Sequence, residues 1–163
     1  MKITDVKAYA VRRKVEFPYV WRRGLPGSGT EQEMTVIRII TDEGIEGIST
    51  VPRGTIAVDL ILRRIKNMLI GQDPLMKEHI WELMWEIDRI EEFPIYMLGC
   101  VDIALWDITA KAAGHPLYKI IGGNSNKVPA YASTVTYDSI DQYLRVADQC
   151  LERGFKAIKL HAW

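Results

Sequence analysis

Alternating apolar and polar side chains at the start of the chain predict β-strands. Residues 3–15 are rich in β-branched side chains, and residues 34–41 and 45–51 flank a Thr-Asp-Glu-Gly turn that suits a hairpin. Residues 17–33 interrupt this pattern with two prolines and three glycines, so they are predicted to form a long loop. Three strands in succession indicate a small antiparallel sheet.

Apolar residues then recur at helical spacing and predict three helices. The first covers residues 55–69, the second begins at Asp73-Pro74, and the third covers residues 95–113. Asp and Pro are the residue types preferred at the N-cap and the first helical position, and Gly114 is typical of a residue that ends a helix. Sheet and helices together predict an α+β domain over residues 1–123.

From residue 124 onward the pattern changes to strand, helix, strand. Residues 128–134 and 155–163 are predicted strands, and residues 137–153 are a predicted helix opened by Asp138. A helix that connects two strands implies that they pair in parallel. One such unit leaves a sheet edge and an apolar face open. Residues 124–163 are therefore predicted to be the first strand–helix–strand unit of a barrel that is incomplete in this chain, so that either further chain or another molecule supplies the rest.

Composition and charge indicate a globular protein without a polyanionic partner. Lysine plus arginine and aspartate plus glutamate each total 21 of 163 residues, so we expect no nucleic-acid or membrane partner. Residues 1–14 lack the apolar core of a signal peptide. Cys100 and Cys150 fall in predicted helices without CxxC spacing, which is typical of buried thiols rather than of a disulfide. A reducing, cytoplasmic setting is expected.

The last predicted strand contains the candidate chemistry. Strand alternation places Lys159 and His161 on one face, and the C-terminal ends of barrel strands carry the active site. A histidine can act as a base near neutral pH, and a neighbouring ammonium favours its neutral form. The same ammonium could stabilise a developing enolate. On spacing alone, the favoured interpretation is that these are two ordinary residues near a strand end.

Residues 100–123 resemble a known family. Their sequence, CVDIALWDITAKAAGHPLYKIIGG, is similar to the A-x-D-x-A-L-W-D-x-x-A/G-K and G-x-P-L-Y-x-L-L-G-G pattern of the mandelate racemase/muconate-lactonizing enzyme family of the enolase superfamily. The resemblance implies a capping domain joined to a modified (β/α) TIM-type barrel. Within this stretch Asp102, Asp107 and Lys111 are interpreted as structural residues that make interdomain or capping hydrogen bonds.

A second stretch, GFKAIKLH at residues 154–161, resembles the family's G-[FY]-x-x-[IVL]-K-x-K at the end of the second barrel strand. There the second lysine removes the proton α to a substrate carboxylate, and the first contacts the carboxylate region. Lys159 matches the first lysine, so the resemblance implies that it contacts the carboxylate region of the substrate. His161 stands in place of the second lysine, a departure that leaves proton abstraction open but does not carry over substrate or stereochemistry.

The resemblance also indicates substrate-binding residues in two loops. The loop after the first strand matches the family's specificity loop and contains Tyr19, Trp21, Arg22 and Arg23. Arg53, after the third strand, matches a second capping loop. These side chains suit the hydroxyl and carboxylate groups of a polar acid. For each arginine, a solvated surface charge is the alternative.

The family binds Mg²⁺ through an Asp and two Glu on later barrel strands, which would all lie beyond Trp163, so no metal ligand is assigned in this chain. The implied intact protein is a sugar-acid dehydratase or a racemase/epimerase that forms an enediolate, with a small carboxylate as substrate and a homo-oligomeric assembly. The 163-residue chain alone is expected to be inactive. Two alternatives stay open: a non-catalytic fragment or interaction module, and a cycloisomerase of the muconate-lactonizing type.

Overall fold

The alternating N-terminal segments form a three-stranded antiparallel sheet in a computed structural model. Its strands are β1 (Ile3–Lys14), β2 (Glu31–Thr41) and β3 (Glu46–Pro52), in the spatial order β1-β2-β3. The β2–β3 ladder runs from the pair Met34↔Pro52 to the pair Ile40↔Glu46. The structure describes residues 1–16, 18–20, 22 and 24–161.

The hairpin turn has the chemistry that the sequence predicts. The Thr41 hydroxyl donates to the Ile45 carbonyl at 2.8 Å, and Gly44 adopts a φ of 76°. Strand β2 starts earlier than the predicted residue 34, because polar side chains pair across to β1 there. Arg12 Nε donates to Glu33 Oε1 at 2.7 Å, and these cross-strand contacts extend the sheet without adding to the core.

The predicted helix after β3 is a helical run with a π-helical centre. It comprises α1 (Gly54–Leu60), a π-helical segment (Ile61–Ile65) and α2 (Lys66–Leu69). Ile61, Ile65 and Leu69 are fully buried. Ile56, in the first turn of the same helical run, is 63% exposed, although the apolar spacing of the sequence continues through it.

Two longer helices follow, α3 (Lys77–Glu91) and α4 (Ile95–Ala112). The expectation that Asp73-Pro74 opens α3 is wrong. The Asp73 carboxylate accepts the Leu75 N–H at 2.9 Å, and the Asp73 carbonyl accepts the Met76 N–H at 3.0 Å, so these residues form a separate turn before the helix. Helix α4 ends as predicted, with Gly114 at a φ of 65°.

Helix α4 forms the centre of the core. Leu98, Val101, Leu105 and Ile108 have no exposed surface, and α4 packs against β3. The other members of the cluster come from α4 itself, the sheet, the first helical run, α3 and Phe93, which lies between α3 and α4. A short helix, α5 (Leu117–Ile120), follows.

The last forty residues contain the predicted strand–helix–strand order. Strands β4 (Ala132–Ser133) and β5 (Ile158–Lys159) pair in parallel, and α6 (Ile140–Glu152) connects them. Both strands are shorter than predicted. Ser139, rather than Asp138, caps α6, because the Ser139 hydroxyl accepts the Gln142 N–H at 3.3 Å.

The chain divides into two compact units. The first comprises Met1–Arg12 and Glu33–Asn124, and the second comprises Arg13–Gln32 and Ser125–Trp163. The loop between β1 and β2 therefore belongs to the unit that contains β4, α6 and β5. A domain boundary at residue 123 stays a prediction. None of the helices in the described residues is both long and apolar enough to cross a membrane.

Candidate functional site

Lys159 lies on β5, beside β4. Lys159 pairs with Ser133, and its side chain is exposed. The Lys159 carbonyl accepts two hydrogen bonds from Thr134, one from the N–H at 3.0 Å and one from the hydroxyl at 2.9 Å. The backbone of Lys159 is thus fixed to the neighbouring strand while its ammonium group is accessible to solvent.

His161 lies two residues beyond Lys159 and is partly buried. Its ring Nδ1 lies 2.6 Å from the Thr134 carbonyl oxygen. A carbonyl oxygen can only accept, so this contact requires a proton on Nδ1. In the neutral ring the lone pair then resides on Nε2. The geometry selects the tautomer in which Nε2 is the basic atom, which is compatible with a general base.

Two further residues hold His161, and neither is a candidate on sequence grounds. Thr134 is 7% exposed and binds both the Lys159 backbone and the His161 ring. Tyr143, on α6, donates from its hydroxyl to the His161 carbonyl. The only available sequence signal was their position beside a strand end and on the connecting helix, which does not single them out.

The loop between β1 and β2 is held by hydrogen bonds within its own unit. The Ser28 N–H donates to the Tyr19 carbonyl at 2.8 Å, and the Tyr19 hydroxyl accepts a hydrogen bond from Gln32 Nε2. Arg22 is exposed, and its carbonyl accepts the Leu25 N–H at 3.1 Å. Tyr19 and Arg22 therefore belong to the same compact unit as Lys159 and His161.

Three other candidates are not assigned to that group. Trp21 and Arg23 lie outside the described residues. Arg53 belongs to the first unit, where it immediately precedes α1 and is exposed. Its backbone has a φ of 112°, a left-handed conformation that is uncommon for residues with a Cβ.

The polar residues of the α4 stretch bind the sheet. Asp107 Oδ2 accepts the Ile48 N–H at 2.8 Å and the Lys111 ammonium at 2.6 Å. Lys111 also donates to the Glu46 carbonyl at 2.7 Å. Because β3 is an edge strand, these contacts satisfy backbone groups that would otherwise lack a strand partner. Asp107 and Lys111 therefore have a structural role within the first unit.

Asp102, on α4, is influenced by the charge of Lys77 on α3. Burial raises the pKa of the Asp102 carboxyl, and the charge of Lys77 opposes that rise. The Lys77 ammonium contacts two side chains of α4. It lies 4.2 Å from the centre of the Trp106 ring and donates a hydrogen bond to the Thr109 hydroxyl at 3.0 Å. This arrangement is a packed polar contact between α3 and α4.

Among the described residues, no group of three or more His, Cys, Asp or Glu side chains is placed to hold a metal ion. A Mg²⁺ ion requires several oxygen ligands in near-octahedral geometry. These residues therefore bring no magnesium ligand set together.

Comparisons with known proteins identify the family. Residues 3–122 match the N-terminal domain of mandelate racemase and muconate lactonizing enzymes. The chain therefore belongs to the mandelate racemase/muconate lactonizing enzyme family of the enolase superfamily. This result confirms the predicted family, and the sheet, helices and parallel strand pair confirm the predicted fold class.

The names of the relatives refer to two reaction types. The D-galactonate dehydratase family member RspA of Halomonas elongata is 32% identical over 136 residues, which cover 80% of this chain and 34% of that protein. A crystal structure of an enolase superfamily member from Polaromonas sp. JS666 has a TM-score of 0.81 and 28% identity, covering 99% of this chain and 44% of that one. A dipeptide epimerase from Enterococcus faecalis V583, crystallised with Mg and a dipeptide, has a TM-score of 0.78 and 25% identity, covering 99% of this chain and 46% of that one.

The chain thus spans about a third of the length of the curated relative and less than half of each of these two structures. The matched region is mostly the capping domain, which specifies the fold. Relatives named as a dehydratase family member and as an epimerase place the chain in a family of lyases and isomerases.

Proposed function

We propose that this chain is the N-terminal part of an enzyme that removes the proton α to the carboxylate of a sugar acid, as a dehydratase or a racemase/epimerase. The observation that carries the proposal is the position of His161. It stands where the family has its second lysine, and its Nδ1 contact with Thr134 makes Nε2 the basic atom of the neutral ring. The dehydratase relative supports a sugar acid as substrate.

In the proposed step, His161 Nε2 accepts the α-proton, and negative charge develops on the substrate carboxylate as an enediolate. The exposed ammonium of Lys159 would stabilise that charge. Tyr19, Trp21, Arg22, Arg23 and Arg53 are proposed to bind the hydroxyl and carboxylate groups of the acid, as donors suited to those oxygens. A homo-oligomer is proposed on family grounds alone.

A Mg²⁺ ion, when bound, would stabilise charge on the carboxylate oxygens. The epimerase neighbour that contains Mg supports this expectation. On the family pattern, the ligands are proposed to be an Asp and two Glu on later barrel strands, encoded after residue 163. A coding sequence that continues without such spaced carboxylates would contradict both the magnesium site and the proposed enzyme.

Solvent exchange of the α-proton tests the proposal directly. The complete gene product is incubated in D₂O with Mg²⁺ and a panel of sugar acids, and deuterium at the α-carbon is followed by proton NMR. His161→Asn should slow exchange or turnover by at least about 100-fold, as expected for loss of a general base. Lys159→Met should also slow it.

The matched control is Lys156→Met, which removes an exposed lysine three residues before Lys159. Exchange at the wild-type rate in the His161 variant would place the base elsewhere. If no acid in the panel exchanges or reacts, and Mg²⁺ does not bind by calorimetry, the result would favour the non-enzymatic interaction module.

A further inference from the structure

We propose that Tyr143 is a positioning residue that holds His161 in the orientation and tautomer described above. The inference rests on the proposed function only in naming His161 as the base. Tyr143 touches no reacting atom. It acts through the backbone of His161, to which its hydroxyl donates a hydrogen bond.

The need for such a residue follows from the shortness of the strand pair. The β4–β5 ladder contains two residue pairs, Ala132↔Ile158 and Ser133↔Lys159. His161 lies beyond the last of these pairs, in a segment without strand assignment. The hydrogen bond from Tyr143 holds the His161 carbonyl at a point beyond those two pairs.

Tyr143 suits this task because its hydroxyl accepts one hydrogen bond and donates another. The oxygen accepts the Tyr137 N–H at 3.1 Å, and the hydroxyl proton is donated to the His161 carbonyl. Tyr137 follows β4 and His161 follows β5, so one phenol connects the chain segments that leave both strands. A hydroxyl can donate and accept at once, whereas a carbonyl or an amide N–H could not make both contacts.

The ring of Tyr143 is itself fixed. It packs edge-on against the Tyr137 ring, with centroids 5.0 Å apart and planes at 83°. It is carried on α6, whose first turn is capped by the Ser139 hydroxyl. Helix, ring contact and hydrogen bonds together leave the hydroxyl little freedom to move.

The consequence reaches the imidazole through Thr134. When the His161 carbonyl is held, the ring lies with Nδ1 against the Thr134 carbonyl, and this contact selects the Nδ1–H tautomer. When the carbonyl is released, the ring is no longer constrained to that contact. Both tautomers then become populated, and a fraction of the molecules present Nε2–H, which cannot accept a proton.

The test is Tyr143→Phe, which deletes one oxygen and keeps the ring contact with Tyr137. The chain has three histidines, so ¹⁵N-histidine labelling gives a simple spectrum in which His161→Gln identifies the relevant signals. We expect wild-type His161 to show the Nδ1–H pattern and the variant to show a mixture. Amide exchange at Thr134 should also accelerate by about fivefold, as for loss of one ordinary hydrogen bond.

Tyr131→Phe is the matched control, since Tyr131 belongs to the same unit and is 56% exposed. It should leave the His161 signals and the Thr134 exchange rate unchanged. Identical imidazole spectra for wild type and Tyr143→Phe would overturn the proposal. Tyr143→Leu, which also removes the ring contact, distinguishes loss of the hydroxyl from general unfolding. The amide signals of α6 report whether the helix is still folded in each variant. If the Phe and Leu variants lose the Nδ1–H pattern only when these amide signals also collapse, the role of Tyr143 is structural and the proposal fails.

The test of Tyr143 is independent of the test of the proposed reaction. The tautomer is read without substrate or metal, so a shift in Tyr143→Phe would support positioning even if His161 proved not to be the base. Conversely, loss of α-proton exchange in His161→Asn with an unchanged tautomer in Tyr143→Phe would support the reaction and reject Tyr143.

Discussion

The left-handed backbone at Arg53 has a stability cost that can be measured separately from its side chain. A φ of 112° brings the Cβ of a non-glycine residue into unfavourable contact with its own backbone, a strain of order 1 kcal/mol or more. Glycine has no Cβ, so Arg53→Gly should raise the free energy of unfolding by about 1 kcal/mol, measured as a shift in the urea midpoint.

Arg53→Ala is the control for this prediction. It removes the guanidinium but retains the Cβ, so it should give no comparable gain in stability. If alanine stabilised the protein as much as glycine, charge rather than backbone strain would be responsible. In the complete gene product both variants should weaken substrate binding if Arg53 binds the acid.

At the residue scale, sequence reasoning reaches residues whose chemistry shows in local spacing and misses those whose partners are distant. Lys159 and His161 follow from strand alternation and from the resemblance. Thr134 is 27 residues from His161, and Tyr143 is 18 residues from it. No periodicity in the sequence reports a hydrogen bond between a helix hydroxyl and a strand-end carbonyl. Such contacts depend on the packing of α6 against the strand pair.

The packing of β3 on α4 leaves no room at Gly47. A Cβ added there would lie 2.0 Å from the Ala104 carbonyl oxygen and 2.8 Å from Ile108 Cγ1. The first obstacle is helix backbone, which cannot rotate away. Gly47→Ala should therefore cost about 3 kcal/mol or more, because the strand must move off the helix.

Gly99 provides the matched control. It lies within α4, and a Cβ there would meet no atom within 4 Å. Gly99→Ala should be neutral or should stabilise the protein by up to about 1 kcal/mol, since alanine is the better helix former. Denaturant unfolding of both variants measures the difference. Equal effects would mean that β3 and α4 are not in the close contact described.

An ion pair between β1 and the first helical run makes stability depend on acid pH. The Lys66 ammonium donates to Asp5 Oδ1 at 2.5 Å and holds the pKa of the Asp5 carboxyl below its ordinary value of 3.8. A group with a lowered pKa binds its proton more weakly when folded. The pair therefore stabilises the fold above pH 3.8, and that contribution is lost as the pH falls through the lowered value.

Lys66→Met should accordingly reduce stability at neutral pH and should flatten the loss of stability on acidification to about pH 2.5. Both groups are about a third exposed, so the effect should stay below about 1 kcal/mol. Lys7→Met is the control, because Lys7 lies 4.0 Å from the same carboxylate and is a weaker cause of its pKa shift. An equally steep acid transition in Lys66→Met would contradict the assignment.

At the element scale, the sequence predicted the existence and order of elements better than their ends. The hairpin turn and the end of α4 at Gly114 followed from residue preferences. The starts of α3 and α6 did not, because Asp and Ser can cap a helix or form a turn with equal local chemistry. Asp73 forms a turn and Ser139 forms the cap, and the choice is made by which backbone N–H each side chain meets in the folded chain.

The two units differ in what buries their apolar surface. The core cluster consists of residues of the first unit, while Val146, at 9% exposure, is the buried apolar side chain of the second unit among the described residues. The second unit also has exposed large apolar side chains on α6, Leu144 at 59% and Leu151 at 61%. Most of the apolar surface that folding removes from water therefore lies in the first unit.

This difference predicts unequal local stability within one chain. The amides of Val101 and Leu105 lie in the buried centre of α4, whereas the Thr134 amide bonds the Lys159 carbonyl across a two-pair ladder. Opening the ladder exposes little apolar surface and therefore costs little free energy. By hydrogen exchange and NMR, the α4 amides should be protected at least about 100-fold more than that of Thr134.

The exchange rate of the Val146 amide, on α6, shows which part of the second unit opens. If it exchanges as slowly as α4 while Thr134 is fast, α6 is stable and the ladder alone opens. If all three sites exchange at one slow rate, the units unfold together and the predicted difference is wrong. If Val146 and Thr134 are both fast, the second unit opens as a whole, as expected for one strand–helix–strand unit that has few buried apolar side chains.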